Sequence, residues 1–203
     1  MHGPAVDAAV VALHAGEPVV LPTDTVYGLA VDPTREDAVR RLTELKGRPA
    51  GMPIALLAAE LDALLALVPE VAEHAGLMRA LLPGPFTLVL PNPARRLPWL
   101  TGSRSDTIGI RVPDLPPAAR AVVAGVGAVA ATSANVHGGP DPRTLDEVDP
   151  RLRAACAAEI DAGPLPGTPS TVIDLTGAEP AILREGAVPA TEALRRIRER
   201  AAP

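Results

Sequence analysis

The sequence contains one cysteine, Cys156, and only three aromatic residues, and both shortages exclude kinds of protein. A single cysteine can form neither an internal disulfide nor a zinc site built from several thiolates. Tyr27, Phe86 and Trp99 are too few for the stacking platforms on which proteins hold single-stranded nucleic acid. The net charge of −5 also makes the surface as a whole a poor match for a polyanion. We therefore expect no stable binding of nucleic acid.

Long apolar runs and an early positive charge are also missing. No run approaches the roughly 18 apolar residues of a membrane-spanning helix. The first lysine or arginine is Arg35, so the start lacks the cationic segment of a signal peptide. The four histidines are scattered, without the paired spacing of a zinc site. These absences predict a cytoplasmic protein with no membrane contact and no metal site of its own.

The 203 residues, 47% of them hydrophobic, suffice for one sizeable core, and no linker divides them. We predict a single domain over 1–203, with its motifs within about 17–188 and a last helix over about 190–201. Strands are predicted at 19–21, 54–58, 86–90, 108–112, 128–131, 172–175 and 181–183. Helices are predicted at 6–15, 34–45 (capped by Thr34), 60–68, 71–82, 114–124 and from 191. Their irregular alternation indicates an α/β fold with a mixed sheet.

Polar residues cluster at the ends of these strands. In segment 22–29, the hydroxyls of Thr23 and Thr25 flank the carboxylate of Asp24 directly after a buried strand. A turn there can aim such side chains into a crevice. The alternative is a turn in which the same side chains bond their own backbone.

Lys46 is the only lysine beside eighteen arginines, and Arg48 follows it two residues later. Lysine supplies a compact point charge and arginine a planar fork, so together they could hold phosphate oxygens. Cations at the end of a helix are also favoured by its dipole alone. The segment lacks the glycine pattern of a P-loop, and no dinucleotide-binding fingerprint occurs elsewhere.

Arg111 interrupts an apolar strand and therefore needs a partner, either a protein carboxylate or an anionic ligand. Three further strand ends carry small polar or cationic groups, each a weak signal alone: Ser133 with Asn135, Ser170, and Arg184. No pattern indicates a covalent nucleophile. Four cations and several neutral donors at strand and helix ends instead suit a nucleoside triphosphate and a second substrate that bears a carboxylate.

Taken in order, these motifs resemble the YrdC-type L-threonylcarbamoyladenylate synthases over about residues 19–186. The matching segments are 22–29, 46–49 with Pro53, 83–87, 109–113, 133–135, 170–172 and 183–186. The resemblance implies the single-domain, TsaC-like form, with a twisted α/β sheet around a large, open, positively charged cavity.

The resemblance also implies a nucleotidyltransferase reaction. L-threonine, bicarbonate (or CO2) and ATP would give threonylcarbamoyl-AMP and pyrophosphate, with Mg2+ accompanying ATP. The product would pass to a transfer complex that modifies adenosine 37 of tRNA. Such chemistry needs positioning and charge neutralisation rather than a protein nucleophile.

Roles follow from the resemblance position by position. Lys46 and Arg48 would hold the phosphates as the catalytic residues, and Ser133, Asn135 and Arg184 would also contact ATP. Thr25, Arg111 and Ser170 would contact threonine, with Arg111 pairing its carboxylate. Three positions depart from residues common in the family, namely Met52, Leu57 and His137.

Two other functions stay open. Related domains process carbamoyl phosphate in hydrogenase maturation, usually within much longer chains that carry acylphosphatase and zinc-finger segments. A non-enzymatic RNA-binding module is the second alternative, and the acidic balance and scarcity of aromatics count against it.

Overall fold

The computed structural model describes residues 3–49 and 51–201. Within those ranges, the strands are β1 (Val19–Pro22), β2 (Tyr27–Val31), β3 (Ala55–Ala58), β4 (Phe86–Pro91), β5 (Thr107–Arg111), β6 (Ala128–Ser133), β7 (Ala158–Glu159), β8 (Thr171–Asp174) and β9 (Ala181–Arg184). They form one twisted sheet in the order β7-β1-β2-β6-β3-β5-β4-β8-β9. The pairs β1–β7, β3–β5 and β4–β8 are parallel and the others antiparallel, which confirms the predicted mixed sheet.

Helices flank the sheet on both faces. They are α1 (Pro4–His14), α2 (Glu36–Leu45), α3 (Leu61–Leu67), α4 (Ala75–Leu81), α5 (Pro117–Val126), α6 (Pro150–Ala154) and α7 (Ala190–Ala201). Among the described residues, no helix combines the length and the apolar character needed to cross a membrane.

Three local predictions are wrong. Thr34 does not cap α2, because its hydroxyl donates to Asp32 (2.7 Å) and Arg35 occupies the cap position. The predicted helix over 71–82 begins as a 3-10 turn (Pro69–His74) and becomes α-helical only at α4. The predicted helix over 114–124 begins at Pro117 instead, since Pro116 occupies the cap position and proline is favoured at the first helical position.

Side chains of β1, β2, β3 and β6 alternate between two cores. Along β1 and β2, Val20 and Leu29 pack with α2, α3, α4 and α7, whereas Leu21 and Ala30 pack with α1 and α5. This period of two is the geometry of a strand buried on both faces. Helices α1 and α5 cover one face of the sheet at β1, β6 and β7. They leave that face uncovered at β5, β4 and β8.

Candidate active site

The part of the sheet that α1 and α5 leave uncovered forms the floor of a cavity of about 540 Å³. Along β5, Ile108 and Ile110 enter the core, so the alternate residues Gly109 and Arg111 face the cavity. Thr87 and Val89 of β4 face it in the same way. Strand alternation therefore explains how an arginine fits inside an otherwise apolar strand.

The described lining carries five cations and one carboxylate, namely Lys46, Arg48, Arg104, Arg111, Arg184 and Asp141. None of the described lining residues is aromatic. Two of the cations have carboxylate partners, because Arg111 pairs with Asp24 (2.8 Å) and Arg104 with Asp174 (2.7 Å). Within residues 3–49 and 51–201, the other three form no salt bridge. Their charges are therefore available to an anionic ligand.

Lys46 ends α2, and its ammonium turns away from the helix into the cavity. The amide of Gly47 donates to Glu44 O (2.9 Å) while Gly47 adopts a φ of 61°, which turns the chain at the end of the helix. The Lys46 Nζ donates to the carbonyl of Ser133 and to Asn135 Oδ1 (3.3 Å). A site contact, and not only the helix dipole, therefore accounts for the lysine.

The Lys46 side chain is almost completely buried, with 3% of the residue exposed. Burial lowers its pKa to about 8, Arg48 adds to that effect, and Asp141 opposes it. At pH 7 the amine is thus still mostly protonated. Two of its three protons have protein acceptors, which leaves one for a ligand.

Arg48 and Arg184 approach the same region from different elements. Arg48 donates to Thr132 Oγ1 (2.9 Å) and to Pro53 O (2.7 Å). Arg184, at the end of β9, donates to Ser170 O (2.8 Å) and Ser170 Oγ (3.1 Å). Burial lowers the pKa of Arg48, and the charge of Arg184 lowers it further, so the two guanidinium groups are close enough to repel.

The sequence left open whether Arg111 pairs with a protein carboxylate or with an anionic ligand. The structure shows a protein carboxylate, that of Asp24. Arg111 Nη2 donates to Asp24 Oδ1 (2.8 Å) and to Thr25 Oγ1 (3.3 Å). Burial lowers the pKa of Arg111 against the opposing charge of Asp24. The Nε atoms of Arg111 and Arg48 are buried without a hydrogen-bond partner in the described part of the chain. Such N–H groups are costly unless a ligand compensates.

The hydroxyls of Thr23 and Thr25 have a fixed direction. Thr23 Oγ1 donates its only proton to Val26 O (2.7 Å), so at its 2.9 Å contact with Thr25 it must accept. Thr25 therefore donates to Thr23, and its oxygen can only accept further hydrogen bonds. The predicted self-bonded turn is present at Thr23, whereas Thr25 faces Arg111 and the cavity.

Ser170 and Thr87 form a second hydroxyl pair, with their oxygens 2.7 Å apart. Ser170 Oγ also accepts a hydrogen bond from Arg184. Because only one of the two hydroxyl protons lies between the paired oxygens, the other can be donated into the cavity. The two hydroxyl pairs thus differ in polarity: one accepts and the other donates.

Every residue to which the sequence assigned a role lines this cavity: Thr25, Lys46, Arg48, Arg111, Ser133, Asn135, Ser170 and Arg184. Met52, Leu57 and His137 line it too. The sequence interpretation missed Asp24 as the partner of Arg111, and it missed Arg104 and Asp141 altogether. Asp24 lies in the polar segment 22–29 and could have been assigned by charge matching. Asp141 carries no such signal, because only the fold brings it near Lys46.

The cavity offers no ready metal site. Among the described residues, no group of three or more histidine, cysteine or carboxylate side chains could hold an ion. A lining with one carboxylate suits Mg2+ that arrives on phosphate oxygens, since this ion keeps several waters and needs few protein ligands.

Comparison with known proteins supplies the family. A family profile described as Telomere recombination, Sua5/YciO/YrdC, matches residues 11–186. The threonylcarbamoyl-AMP synthase of Xanthomonas campestris is 36% identical over 163 residues, which cover 79% of this chain and 87% of that one. That of Pyrococcus abyssi is 36% identical over 182 residues, or 89% of this chain and 53% of the relative. The chain thus spans about half the length of the P. abyssi protein.

A solved structure extends the similarity to three dimensions. P. abyssi Sua5 in complex with L-threonine superposes with a TM-score of 0.84 at 36% identity. The match covers 95% of this chain and 57% of that one. With a profile match over most of its length and these relatives, the chain belongs to the Sua5/YciO/YrdC family.

Proposed function

We propose that this protein is a threonylcarbamoyl-AMP synthase, which makes threonylcarbamoyl-AMP and pyrophosphate from L-threonine, bicarbonate or CO2, and ATP. One observation carries the proposal: a single cavity holds three cations without carboxylate partners beside a separate Arg111–Asp24 site. The first suits a polyphosphate and the second an amino acid carboxylate. The names of the relatives and the threonine bound to P. abyssi Sua5 support the same assignment.

Lys46, Arg48 and Arg184 would bind the phosphates, with Ser133 and Asn135 holding Lys46 in place. Asn135 Oδ1 accepts from both Lys46 and Ser133 Oγ (2.5 Å), so both contacts restrain the ammonium. Mg2+ would enter with ATP and neutralise charge on the departing pyrophosphate.

Threonine would bind with its carboxylate at Arg111 and its amino nitrogen or hydroxyl at Thr25, the side of the site that can only accept. Ser170 and Thr87 would donate their remaining proton to an oxygen of the substrate. The charge of Arg184 lowers the pKa of both Arg48 and Arg111, so Arg184 lies near both halves of the site. A carbamate formed on threonine would therefore lie close to the α-phosphorus.

The reaction then needs no protein nucleophile. The threonine nitrogen loses a proton and takes up CO2, and a carbamate oxygen attacks the α-phosphorus while the bond to pyrophosphate breaks. The protein contributes positioning and positive charge. The threonylcarbamoyl group would afterwards pass to a complex that acts on tRNA.

The test is pyrophosphate release from MgATP, with L-threonine or bicarbonate omitted in turn, and the product identified by rapid mass spectrometry. We expect release to require both and to yield the mass of threonylcarbamoyl-AMP. Lys46→Ala should abolish release while its circular dichroism stays that of the parent protein.

Release without threonine, or with carbamoyl phosphate in its place, would favour the hydrogenase-maturation type of chemistry. RNA binding by a folded protein that turns over no ATP would favour the binding module. Either result overturns the proposal.

A further inference from the structure

Asp141 is an unexpected residue in a cavity for phosphates. It is the one carboxylate in the described lining. Burial lowers the pKa values of Lys46 and Arg184, and the charge of Asp141 opposes that effect in both. It forms no salt bridge within the described ranges, although it lies near two cations that have no carboxylate partner. An anion held by those cations would also meet the negative charge of Asp141.

The backbone fixes the position of this carboxylate. On one side, Asn135 Nδ2 donates to Gly139 O (2.7 Å), and the amide of Gly139 donates to Val136 O (2.9 Å). On the other side, the amide of Tyr27 donates to Pro142 O (2.9 Å). The segment between these anchors is short, so Asp141 cannot withdraw far when a ligand enters.

The charges at this end of the cavity match one form of the nucleotide. Lys46, Arg48 and Arg184 contribute three positive charges and Asp141 one negative charge, so the local sum is about +2 at pH 7. Metal-free ATP carries about four negative charges, and its Mg2+ complex about two. The positive charge of the site therefore balances the negative charge of the MgATP complex, whereas the negative charge of metal-free ATP exceeds it.

From this juxtaposition we infer that Asp141 makes nucleotide binding selective for MgATP over metal-free ATP. The carboxylate would repel an uncompensated polyphosphate, and it could accept hydrogen bonds from waters that Mg2+ retains when it arrives with ATP. Asp141 is thus a specificity-determining residue for the form in which ATP is bound. The inference rests on the proposed function, since it takes ATP as the ligand.

The experiment compares two affinities in two proteins. Isothermal titration calorimetry without threonine, so that no turnover occurs, measures Kd for MgATP and for ATP in excess EDTA. Asp141→Asn removes the charge and keeps the shape. We expect the parent protein to prefer MgATP, and the variant to reduce that preference roughly tenfold, mainly by tighter binding of metal-free ATP.

Asp7→Asn is the matched control, because Asp7 is exposed on α1 and lies outside the cavity lining. It should leave both affinities unchanged. A preference in Asp141→Asn within twofold of the parent would overturn the inference, as would an equal loss of affinity for both forms. If the parent binds neither form of ATP, both the proposed function and the inference fail. If it binds ATP but Asp141→Asn leaves the preference unchanged, only the inference fails.

Discussion

At the scale of single residues, burial controls the charge that the site presents. The pKa of Lys46 is about 8 instead of 10.5, because the ammonium has lost most of its contact with water. Only the protonated amine attracts phosphate, so affinity should fall as the pH rises through 8. We expect the Kd of MgATP to increase about tenfold between pH 7 and pH 9.

A variant with a permanent charge provides the control. In Lys46→Arg the guanidinium stays protonated over this range, so the Kd should change less than twofold between the same two pH values. A flat profile in the parent protein would show that another group governs the charge of the phosphate site.

Arg111 supports a second prediction at this scale. Arg111→Ala should raise the KM for threonine roughly 10- to 100-fold, the usual range for a lost hydrogen bond to a charged group. The Kd of MgATP, measured without threonine, should change far less. Arg153→Ala removes an arginine that pairs with Glu159 outside the cavity, and it should alter neither value. An unchanged threonine KM in Arg111→Ala would remove this residue from the amino acid site.

At the scale of elements, the loop that contains Gly51 contacts the loop that contains Gly102, and residues of both line the cavity. Gly102 has a φ of 64°, and a Cβ there would lie 2.3 Å from Gly51 O. The amide of Ser103 donates to the same carbonyl (2.9 Å). Met52, which lines the cavity, directly follows Gly51, so its position depends on this contact.

Gly102→Ala should therefore destabilise the fold and weaken nucleotide binding together. Gly163→Ala separates the causes, because Gly163 has a similar φ of 71° but open space around its Cβ position, and it lies outside the cavity lining. We expect Gly163→Ala to cost about 1 kcal/mol of unfolding free energy and Gly102→Ala about 2–3 kcal/mol. Chemical denaturation measures both costs. Equal costs would mean that the contact between Gly102 and the Gly51 carbonyl adjusts to the new Cβ without loss of stability.

Elements and cavity residues differ in how far the sequence could predict them. Long periodic segments such as α2 were predictable, because apolar spacing carries the signal. The start of α2 was not, since the Thr34 hydroxyl had a competing acceptor in Asp32. Strand β2 was missed inside a polar motif, because its five residues are buried on both faces and show no alternation.

The site shows the same division. Residues in recognisable motifs could be assigned from the order of amino acids alone, whereas Asp141 could not. Its importance comes from its proximity to Lys46 and Arg184, which belong to distant parts of the chain. Charge balance between such residues is a property of the folded sheet and leaves no local pattern.

At the scale of the whole molecule, the cavity joins distant parts of the sheet. Lys46 caps the end of α2 and Ser133 ends the central strand β6, whereas Ser170 directly precedes β8 and Arg184 ends β9 at one edge of the sheet. A ligand that contacts all four should stabilise the fold as a unit. At 100 times its Kd, a ligand adds about 2.7 kcal/mol to the free energy of unfolding.

For a protein of this size, that gain corresponds to an increase in Tm of roughly 5–10 °C. Differential scanning fluorimetry with MgATP at 100 times its measured Kd tests this expectation. Lys46→Ala at the same nucleotide concentration should show an increase below about 2 °C. Equal shifts in both proteins would place the stabilising site elsewhere.

The absence of aromatic residues from the described cavity lining has a practical consequence for optical measurements. Trp99 donates its indole N–H to Pro33 O (2.8 Å) outside that lining, so the natural fluorescence of the protein should respond little to ligands. A tryptophan introduced at the exposed Met52 would instead lie at the cavity. Its fluorescence would change on ligand binding, whereas that of Trp99 would add a constant background. Stopped-flow traces from Met52→Trp would then separate nucleotide entry from pyrophosphate departure in real time.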